Sequence, residues 1–556
     1  MKVADFIVKK LIEYGVTDAF GIPGGVVLRL INAMKEMEPE ITPHLCYHEQ
    51  MAGFAACGYA QASGRLGVAY ATRGPGILNM VTSIAEAYQE SIPVLFITAH
   101  GNRTNNELRF EYNQEIDVVA ACEKFTKYAA NIETIEDVSM LVDMALKSAL
   151  DGRKGPVLLD FATTLFDKEI TEYISEKQEL STKQEDVDSI AQEIGKKLSL
   201  SNRPIVLIGD GLRYTENTNA IIEFFTNMNI PIISSRGSQD LAVWSSNYFG
   251  YVGSHGVRYA NFILSKADLI IAIGNRLAFP IQSESFGPIF QNATLIRLDV
   301  DDDELKRNIP NSINYLIDVS SLGEELNKIS QYCSKDFNTW IKICREIKNE
   351  LFDCDCTQPV TRIADFIKCA KKEEVVYVCD VGNNEFWFSR AFEKEHPYGQ
   401  VLCSKSFGTL GVAIGRAIGA YYATRKRIIC VIGDQGFQYN VQELQYISQW
   451  KLSICVVVIN NEISGMICDH EKKSLKNSIH VSKENGYMAL DVAKIAKAYG
   501  IPFANEMDEL NLDGPMIFEI MIDKTIELTP TLPKGRKIQN MYPDLDCSLE
   551  DKLNGL

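Results

Sequence analysis

The sequence predicts an α/β protein with three doubly wound domains and mainly parallel sheets. Short runs of β-branched and other apolar residues alternate with longer amphipathic segments along all 556 residues. Near-continuous apolar strands of this kind belong to parallel sheets that helices cover on both faces. Most of the runs end in Gly, Asp, Asn or Thr, which is where open α/β sheets carry their ligand-binding loops.

Two charged, glycine-poor segments divide the chain into three parts of similar size. Residues 167–189 have the composition of a linker, and residues 333–358 that of a connecting helix and loop. We therefore predict domains at residues 1–168, 188–332 and 358–528, followed by a proline-containing tail at residues 529–556.

The composition excludes several classes of protein. Hydrophobic residues make up 46% of the chain and charged residues 23%, as is ordinary for a globular protein. The formal net charge of -17 argues against nucleic acid or an anionic membrane as partner, because the protein's field repels phosphates. The sequence contains no run of about 18 apolar residues, so it predicts no transmembrane helix. The fourteen cysteines form no CxxC pair, so we expect reduced core residues of a cytoplasmic protein and no zinc site.

A carboxylate and a pair of asparagines follow two consecutive predicted strands. The run RIICVIG ends at Asp434, and the next run, LSICVVVI, ends at Asn460 and Asn461. Because two parallel strands joined by one crossover helix end side by side, both side chains can reach one ion. Mg²⁺ takes few oxygen ligands from protein and the rest from phosphates and water. The Asp434 carboxylate, the Asn461 side-chain oxygen and the Ile463 carbonyl thus form a candidate Mg²⁺ site, and the helix that opens after Gly436 would direct free N–H groups at the same phosphates.

A literal GDG triplet, Gly209–Asp210–Gly211, serves as an internal comparison. No paired asparagine follows a later strand there. We therefore predict an ordinary strand-to-helix turn without metal at this position.

The GD…NN spacing, which ends in NNEISGM, resembles the thiamine diphosphate-dependent enzymes, and in particular their acetolactate synthase-like group. The resemblance covers nearly the whole chain and includes GIPGGVVLRLINAM, CYHEQMAGFAACGYAQASG, ATRGPGILNM and SKSFGTLGVAIGRAIGA. It implies a pyrimidine-binding, a central and a diphosphate-binding domain in that order, with thiamine diphosphate and Mg²⁺ as cofactors. It also implies a homodimer or homotetramer whose active sites form between subunits.

Within this resemblance Glu49, in the string YHEQMAG, corresponds to the family's catalytic acid. A carboxylate hydrogen-bonded to N1′ of the aminopyrimidine favours the imino tautomer, whose 4′-nitrogen can take the C2 proton of the thiazolium. Without the resemblance, Glu49 would be an ordinary glutamate at a helix start. The resemblance also implies that Leu410 wedges the thiazolium, that the Gly408 carbonyl holds the 4′-amino group, and that Gln114 orients an acceptor.

The remaining site residues follow from the same matched strings. Gly24 and Gly25 join Glu49 and Gln114 at the catalytic centre. The other cofactor-binding residues implied are Ile22, Thr72, Pro75, Asn79, Val381, Gly382, Asn383, Asn384, Gly433, Gln435, Gly436, Gly465 and Met466. Gln435 stands where the family usually has Gly or Ala, which leaves open whether its side chain contacts the diphosphate.

The short side chains of MAGFAACGYAQASG, directly after Glu49, permit two interpretations. The segment would suit a helix packed closely against a partner subunit. It would equally suit a buried helix packed within the chain.

The implied reaction is decarboxylation of a 2-oxo acid, with pyruvate as first choice, followed by transfer of the acyl-anion equivalent to a carbonyl acceptor. A plain decarboxylase and a catalytically silent cofactor-binding homologue are the alternatives. The His-His pair of pyruvate decarboxylases is missing, which favours carboligation. A nucleotide-binding oxidoreductase is disfavoured because no strand is followed by GxGxxG.

Three departures from the acetolactate synthase-like pattern concern the acceptor and FAD. Asn113 stands where those enzymes have Phe, and His470 where they have an acceptor-selecting Trp. Both suggest a more polar acceptor, such as a keto-sugar. The string RFDDR, which helps to hold FAD in the family, reads RLAFP at residues 276–280, and this argues against FAD binding.

Overall fold

The structure, a computed structural model, describes residues 1–101, 113–171, 186–278, 286–323, 326–370, 374–475 and 477–556. Within these residues the chain forms three six-stranded sheets. Every strand pair with a defined register is parallel. The predicted α/β class with three doubly wound, mainly parallel sheets is therefore confirmed, whereas the domain boundaries drawn from composition stay predictions.

The first sheet is built from the N-terminal third of the chain. Its strands are β1 (Asp18–Gly21), β2 (Thr42–Leu45), β3 (Gly67–Tyr70), β4 (Val94–His100), β5 (Tyr128–Ile132) and β6 (Val157–Ala162). Their order across the sheet is β2-β1-β3-β4-β6-β5. Strands β1, β3, β4 and β6 are buried along their whole length, as expected for apolar runs covered on both faces.

The second sheet follows in the middle of the chain. Its strands are β7 (Pro204–Ile208), β8 (Ile232–Ser234), β9 (Tyr248–Tyr251), β10 (Leu269–Ile273), β11 (Thr294–Asp299) and β12 (Ser312–Leu316). Their order is β12-β11-β10-β7-β8-β9.

The third sheet comes from the C-terminal part. Its strands are β13 (Val375–Cys379), β14 (Gly399–Cys403), β15 (Arg427–Gly433), β16 (Ile454–Asn460), β17 (Phe503–Ala504) and β18 (Met516–Met521). Their order is β14-β13-β15-β16-β18-β17. Strands β15 and β16 are direct neighbours, with Gly433 opposite Ile459.

Helices precede, separate and follow these strands in the sequence. In the first third they are Val3–Glu13, Leu28–Glu36, Glu49–Ser63, Pro75–Asn79, Val81–Glu90, Val118–Cys122 and Ile135–Leu150. The middle of the chain contributes Val187–Leu200, Thr218–Asn227, Gln239–Ala242, Arg258–Ser265, Gly287–Asn292, Asp302–Leu305, Leu326–Tyr332, Asn338–Leu351 and Gln358–Ala370. The last part contributes Asn383–Glu395, Ala413–Thr424, Asp434–Tyr439, Leu444–Gln449, Gly465–Ser474, Val492–Ala498 and Cys547–Gly555.

Each sheet has a central point from which successive strands are added on opposite sides, and ligands of open α/β sheets bind at such a point, beyond the carboxyl ends of the strands. In the first sheet this point lies between β1 and β3, in the second between β7 and β10, and in the third between β13 and β15. Ile22 and Thr72 follow β1 and β3, and Val381 and Asp434 follow β13 and β15. The predicted cofactor residues thus flank the reversal points of the first and third sheets.

The helix Glu49–Ser63 packs within the chain against the helix Ala413–Thr424. A Cβ atom added to Gly58 would overlap the Arg416 carbonyl, and one added to Gly419 would overlap the Ala55 carbonyl. The backbones of the two helices therefore touch, which only small residues allow. Of the two interpretations of the small-residue segment, the buried intrachain helix is the one that the structure shows.

The chain divides into two compact units. The first comprises Met1–Leu180, Glu374–Glu385 and Leu402–Lys524. It contains the first sheet and all of the third sheet except the first residues of β14. The second comprises Ser181–Glu373, Phe386–Val401 and Thr525–Leu556, and holds the second sheet with the C-terminal tail.

Two findings bear on the classes excluded above. In the part of the chain that the structure describes, no helix is long and apolar enough to cross a membrane. Nine of the fourteen cysteines are buried, as predicted for core residues, whereas Cys354, Cys369 and Cys547 are exposed and Cys356 and Cys468 are half-buried.

Candidate active site

Glu49 lies at the start of its helix and belongs to a cluster at the carboxyl edge of the first sheet. The helix begins after His48, whose Nδ1 accepts a hydrogen bond from the Gln50 amide at 3.1 Å. Glu49 Oε2 accepts a hydrogen bond from Asn79 Nδ2 at 2.9 Å. A Cβ added to Gly76 would lie 3.4 Å from Glu49 Oε1, which shows how closely the turn after β3 approaches this carboxylate.

The turns after β1 and β3 complete this cluster. Gly24 lies against Thr72, since a Cβ on Gly24 would overlap the Thr72 side chain. Pro75 begins the short helix that ends at Asn79. Gly25 borders open space, because a Cβ there would meet nothing within 4 Å. The structure therefore brings Glu49, Thr72, Asn79 and Gly24 together, and Ile22 is half-buried at the end of β1.

Gln114 is placed beside the same turn by two contacts that the sequence did not reveal. Gly74, with a φ of +61°, packs so closely on Gln114 that a Cβ would overlap the Gln114 carbonyl. The next residue, Glu115, has a buried carboxylate that accepts hydrogen bonds from Arg73 Nη1 at 2.7 Å and from the Gly101 amide at 2.6 Å. Gln114 itself is exposed and has a φ of +67°.

The predicted metal ligands meet at the carboxyl ends of β15 and β16. Asn461 Oδ1 lies 2.9 Å from the Ile463 carbonyl oxygen and 3.3 Å from Asp434 Oδ1. Three acceptor oxygens at such distances require a cation between them or a rotated amide whose Nδ2 donates to the other two. Adjacent oxygens around an octahedral Mg²⁺ are about 2.9 Å apart, given Mg–O distances of about 2.0–2.1 Å. The donor set therefore fits Mg²⁺.

The other oxygen of Asp434 is held by Tyr487, a residue that the sequence patterns did not single out. The Tyr487 hydroxyl donates to Asp434 Oδ2 at 2.7 Å, which leaves Oδ1 facing Asn461. Burial raises the pKa of Asp434 to about 6, and the hydrogen bond from Tyr487 opposes this shift. A divalent cation would favour the ionised carboxylate in the same way that any close positive charge does.

The Gln435 side chain is directed toward the turn that follows β16. Its Oε1 accepts a hydrogen bond from the Ser464 hydroxyl at 2.7 Å. The neighbouring Gly436 is packed near Asp380, whose Oδ1 lies 3.0 Å from the position of an added Cβ. Gln435 thus connects the turn that carries Asp434 to the turn that carries Asn461 and Ile463.

The remaining predicted phosphate contacts surround the same turns. Gly382 has a φ of +130°, and both Gly382 and Gly433 face the Asn384 side chain. A Cβ on Gly465 would lie 2.7 Å from Asn461 Nδ2 and 3.1 Å from Asn383 Nδ2. Val381 follows Asp380 after the end of β13, and Met466 is half-buried in the first turn of the helix Gly465–Ser474.

Gly408 and Leu410 lie in the loop between β14 and the helix Ala413–Thr424. Gly408 is exposed with a φ of +72°, and a Cβ there would meet only Val381, at 3.7 Å. Leu410 is half-buried. Within the described residues, no hydrogen bond of a single chain joins the Glu49 cluster to the Asp434 cluster.

Asn113 and His470 are both exposed. Asn113 precedes Gln114 beside the turn after β3, whereas His470 is on the helix Gly465–Ser474, with Nε2 3.4 Å from the Ser474 hydroxyl. Of the string at residues 276–280, Phe279 and Pro280 lie outside the described residues. Asp210 of the literal GDG triplet forms a 2.8 Å ion pair with Arg213, which accounts for it without a metal.

Comparisons with known proteins show the family to which the chain belongs. Three family models match, described as the N-terminal TPP binding domain, the central domain and the C-terminal TPP binding domain of thiamine pyrophosphate enzymes, at residues 1–121, 191–326 and 380–513. Among curated proteins, the acetolactate synthase large subunit of Lactococcus lactis is 30% identical over 96% of this chain and 94% of its own. The acetolactate synthase isozyme 2 large subunit of Escherichia coli is 27% identical over 98% of this chain and 100% of its own.

The chain belongs to the thiamine pyrophosphate enzyme family, in its acetolactate synthase-like group. The resemblance stated from the sequence, the enzyme class and thiamine diphosphate as cofactor are thereby confirmed. The roles of the individual site residues, Mg²⁺ and the subunit arrangement stay predictions.

Proposed function

We propose that this protein is a Mg²⁺- and thiamine diphosphate-dependent carboligase. It decarboxylates a 2-oxo acid, pyruvate in the first place, and transfers the acyl unit to a carbonyl acceptor. The observation that carries the proposal is the convergence of Asp434 Oδ1, the Asn461 amide and the Ile463 carbonyl at neighbouring strand ends. The relatives reported above are acetolactate synthases, which supports the reaction class.

Asp434, Asn461 and Ile463 would hold Mg²⁺, and the backbone around Gly382, Gln435 and Gly465 would bind the diphosphate. When bound, thiamine diphosphate supplies a nucleophilic C2 and an electron sink for decarboxylation. Glu49 would exchange a proton with N1′ of the aminopyrimidine, and the 2.9 Å hydrogen bond from Asn79 fixes the orientation of its carboxylate. The Gly408 carbonyl would accept a hydrogen bond from the 4′-amino group, and the Leu410 side chain would contact the thiazolium.

The first experiment tests the proposed catalytic role of Glu49. Wild-type protein with thiamine diphosphate and Mg²⁺ should be thermally stabilised and should release CO₂ from pyruvate. Glu49→Gln should keep the stabilisation but lose most turnover, on the order of 100-fold or more, because proton transfer by a placed side chain contributes about that much. Unchanged turnover in Glu49→Gln would show that the acid is misassigned, and a wild type that binds cofactor without turnover would identify a silent homologue.

We also propose that the acceptor is more polar than pyruvate, because Asn113 and His470 present polar groups where acetolactate synthases have aromatic ones. Pyruvate alone should then give CO₂ with slow acetolactate formation, and a hydroxylated carbonyl acceptor should accelerate ligation. Mass-spectrometric identification of the products separates this case from rapid acetolactate formation, which would contradict it, and from acetaldehyde as sole product, which would indicate a plain decarboxylase.

The active site is proposed to form between two subunits of a homodimer or homotetramer. Glu49→Gln and Asp434→Ala, each inactive alone, should then complement one another after subunits are mixed. Random reassociation of a dimer leaves one intact site in each mixed dimer, so about a quarter of wild-type activity should return. No recovery, with subunit exchange verified, would place both clusters of a site in one chain. The cytoplasmic location and the argument against FAD stay predictions.

A further inference from the structure

We propose that Glu90 is a positioning residue that, together with Asp380, fixes the loop at residues 405–411 so that Gly408 and Leu410 project toward the cofactor. Because the roles of Gly408 and Leu410 belong to the proposed function, this inference rests on it. Nothing in the sequence patterns pointed to Glu90, which is separated from the loop by more than 300 residues.

Glu90 holds the first half of the loop through a single carboxylate oxygen. Oε1 accepts hydrogen bonds from the backbone amides of Lys405 at 3.0 Å, Ser406 at 2.7 Å and Phe407 at 2.9 Å. It also lies 3.2 Å from the Ser406 hydroxyl. The residue is 6% exposed. Hydrogen bonds to a charged acceptor are about twice as strong as neutral ones, so three of them fix the backbone firmly.

Asp380 holds the second half of the loop. Its Oδ1 accepts from the Gly411 amide at 2.8 Å, and its Oδ2 accepts from the Ala413 amide at 3.0 Å. The Gly411 carbonyl in turn accepts from Asn440 Nδ2 at 2.9 Å. Gly408, Thr409 and Leu410 thus lie between two backbone segments. One segment is hydrogen-bonded to the buried carboxylate of Glu90, and the other to that of Asp380.

The position of Glu90 in its helix makes its charge costly unless other groups compensate it. Glu90 is the last residue of the helix Val81–Glu90, where the helix dipole disfavours a negative charge. The three amides of the loop compensate this cost. Arg416, which is fully buried and paired with Glu86 one turn before Glu90, adds a favourable charge interaction with Glu90.

Hydrogen bonds rather than apolar packing hold the residues around Gly408. Ser406, Phe407 and Gly408 are exposed in the chain, so apolar packing does not fix them. The Ser404 hydroxyl accepts a hydrogen bond from the Gly408 amide at 2.8 Å. Loss of the Glu90 carboxylate should therefore loosen the segment that precedes Gly408 while the helix beneath it remains folded.

The first measurement needs no cofactor. Backbone amide hydrogen exchange of residues 405–407 is compared in the cofactor-free full-length wild type, Glu90→Gln and Glu90→Asp. Glu90→Gln should accelerate exchange by about tenfold or more, the factor expected when hydrogen bonds to a charged group are weakened. Glu90→Asp, which keeps the charge on a shorter side chain, should give an intermediate value. Glu36→Gln is the matched control, since Glu36 also ends a helix and its carboxylate accepts an exposed hydrogen bond from Asn32.

The second measurement reads the cofactor. With thiamine diphosphate and Mg²⁺ bound, the rate of hydrogen–deuterium exchange at C2 of the thiazolium should fall about tenfold or more in Glu90→Gln. It should be partly restored in Glu90→Asp and unchanged in Glu36→Gln. This rate reports ring placement without any substrate.

Each failure has its own meaning. Unchanged amide exchange at residues 405–407 would show that the Glu90 carboxylate does not fix the loop. Faster amide exchange with normal C2 exchange would overturn its positioning role. A wild type that does not accelerate C2 exchange would contradict the proposed function, and with it the inference that the loop positions the cofactor. The amide measurement would still decide whether Glu90 fixes the loop.

Discussion

Gln435 follows the candidate metal ligand Asp434 at a position where a small residue is usual in related enzymes, and the structure shows where its side chain goes. Its Oε1 accepts a hydrogen bond from Ser464 at 2.7 Å. The two turns that would hold the ion and the diphosphate are thereby linked directly. A bulky side chain is compatible with the site because it extends sideways along the sheet edge to the next strand's turn.

Removing this link should weaken cofactor binding without abolishing it. Gln435→Ala is expected to lower the affinity for Mg²⁺–thiamine diphosphate by about 2–10-fold, since one hydrogen bond contributes about 0.5–1.5 kcal/mol. Isothermal titration calorimetry measures the change. Ser464→Ala should match it, and the double variant should lose no more than either single variant, because both remove the same bond. Additive losses would show that the two side chains act independently.

At the scale of secondary structure, two helices whose backbones touch organise the first unit. Gly58 lies against the Arg416 carbonyl, and Gly419 against the Ala55 carbonyl. The same helix that begins with Glu49 therefore rests on the helix that follows the Leu410 loop. Close approach of this kind demands glycine, because any Cβ would separate the helices.

A methyl group at this contact should be costly. Gly419→Ala is expected to lower the free energy of unfolding by about 1–3 kcal/mol or more, the range for overpacked cores, although alanine favours a helix intrinsically. Gly555→Ala, where an added Cβ meets nothing within 4 Å, is the control and should be neutral. Urea unfolding followed by circular dichroism decides, and equal stability of the two variants would mean that the helices are not in backbone contact.

At the scale of the whole molecule, the chain leaves the second unit and returns to it. Residues 386–401, which end within β14, belong to the second unit. The strands β13 before them and β15 after them belong to the first. Glu393 on this segment accepts hydrogen bonds from Tyr248 at 2.7 Å and Tyr259 at 3.5 Å in the core of the second unit. Burial raises the pKa of Glu393 to about 7, while Lys348 and the two tyrosines oppose the shift.

This carboxyl should make stability depend on pH. Between about pH 4.5 and 7 folded Glu393 keeps the proton that the unfolded chain has released, so stability falls as the pH rises through this window. The full cost above pH 7 is on the order of 3 kcal/mol for a shift of this size. Glu393→Gln, which cannot ionise, should show a smaller loss of stability from pH 5 to 8 than the wild type.

Tryptophan fluorescence during urea unfolding measures this effect, because Trp244, Trp340 and Trp387 lie in the second unit and only Trp450 of the chain's four tryptophans lies in the first. The exposed Glu223→Gln is the control. An unaltered pH slope in Glu393→Gln would show that Glu393 is ionised over the whole range.

Sequence patterns alone predict the three parallel sheets, and they place the candidate cofactor residues at the ends of strands. Apolar runs with polar ends define strands, and strands joined by one crossover helix must end side by side, so Asp434 and Asn461 had to meet. Local strings likewise placed Glu49 at a helix start and Thr72 in the turn after β3.

Which distant groups hold these residues depends on the packing of the folded chain. Tyr487 on Asp434, Ser464 on Gln435, Glu115 beside Gln114 and Glu90 on the loop before Gly408 are single side chains without a periodic signal. Their partners are chosen by how the layers pack, and packing depends on contacts between residues up to several hundred positions apart. For the same reason, only the folded chain shows that the small-residue helix is buried within its own subunit.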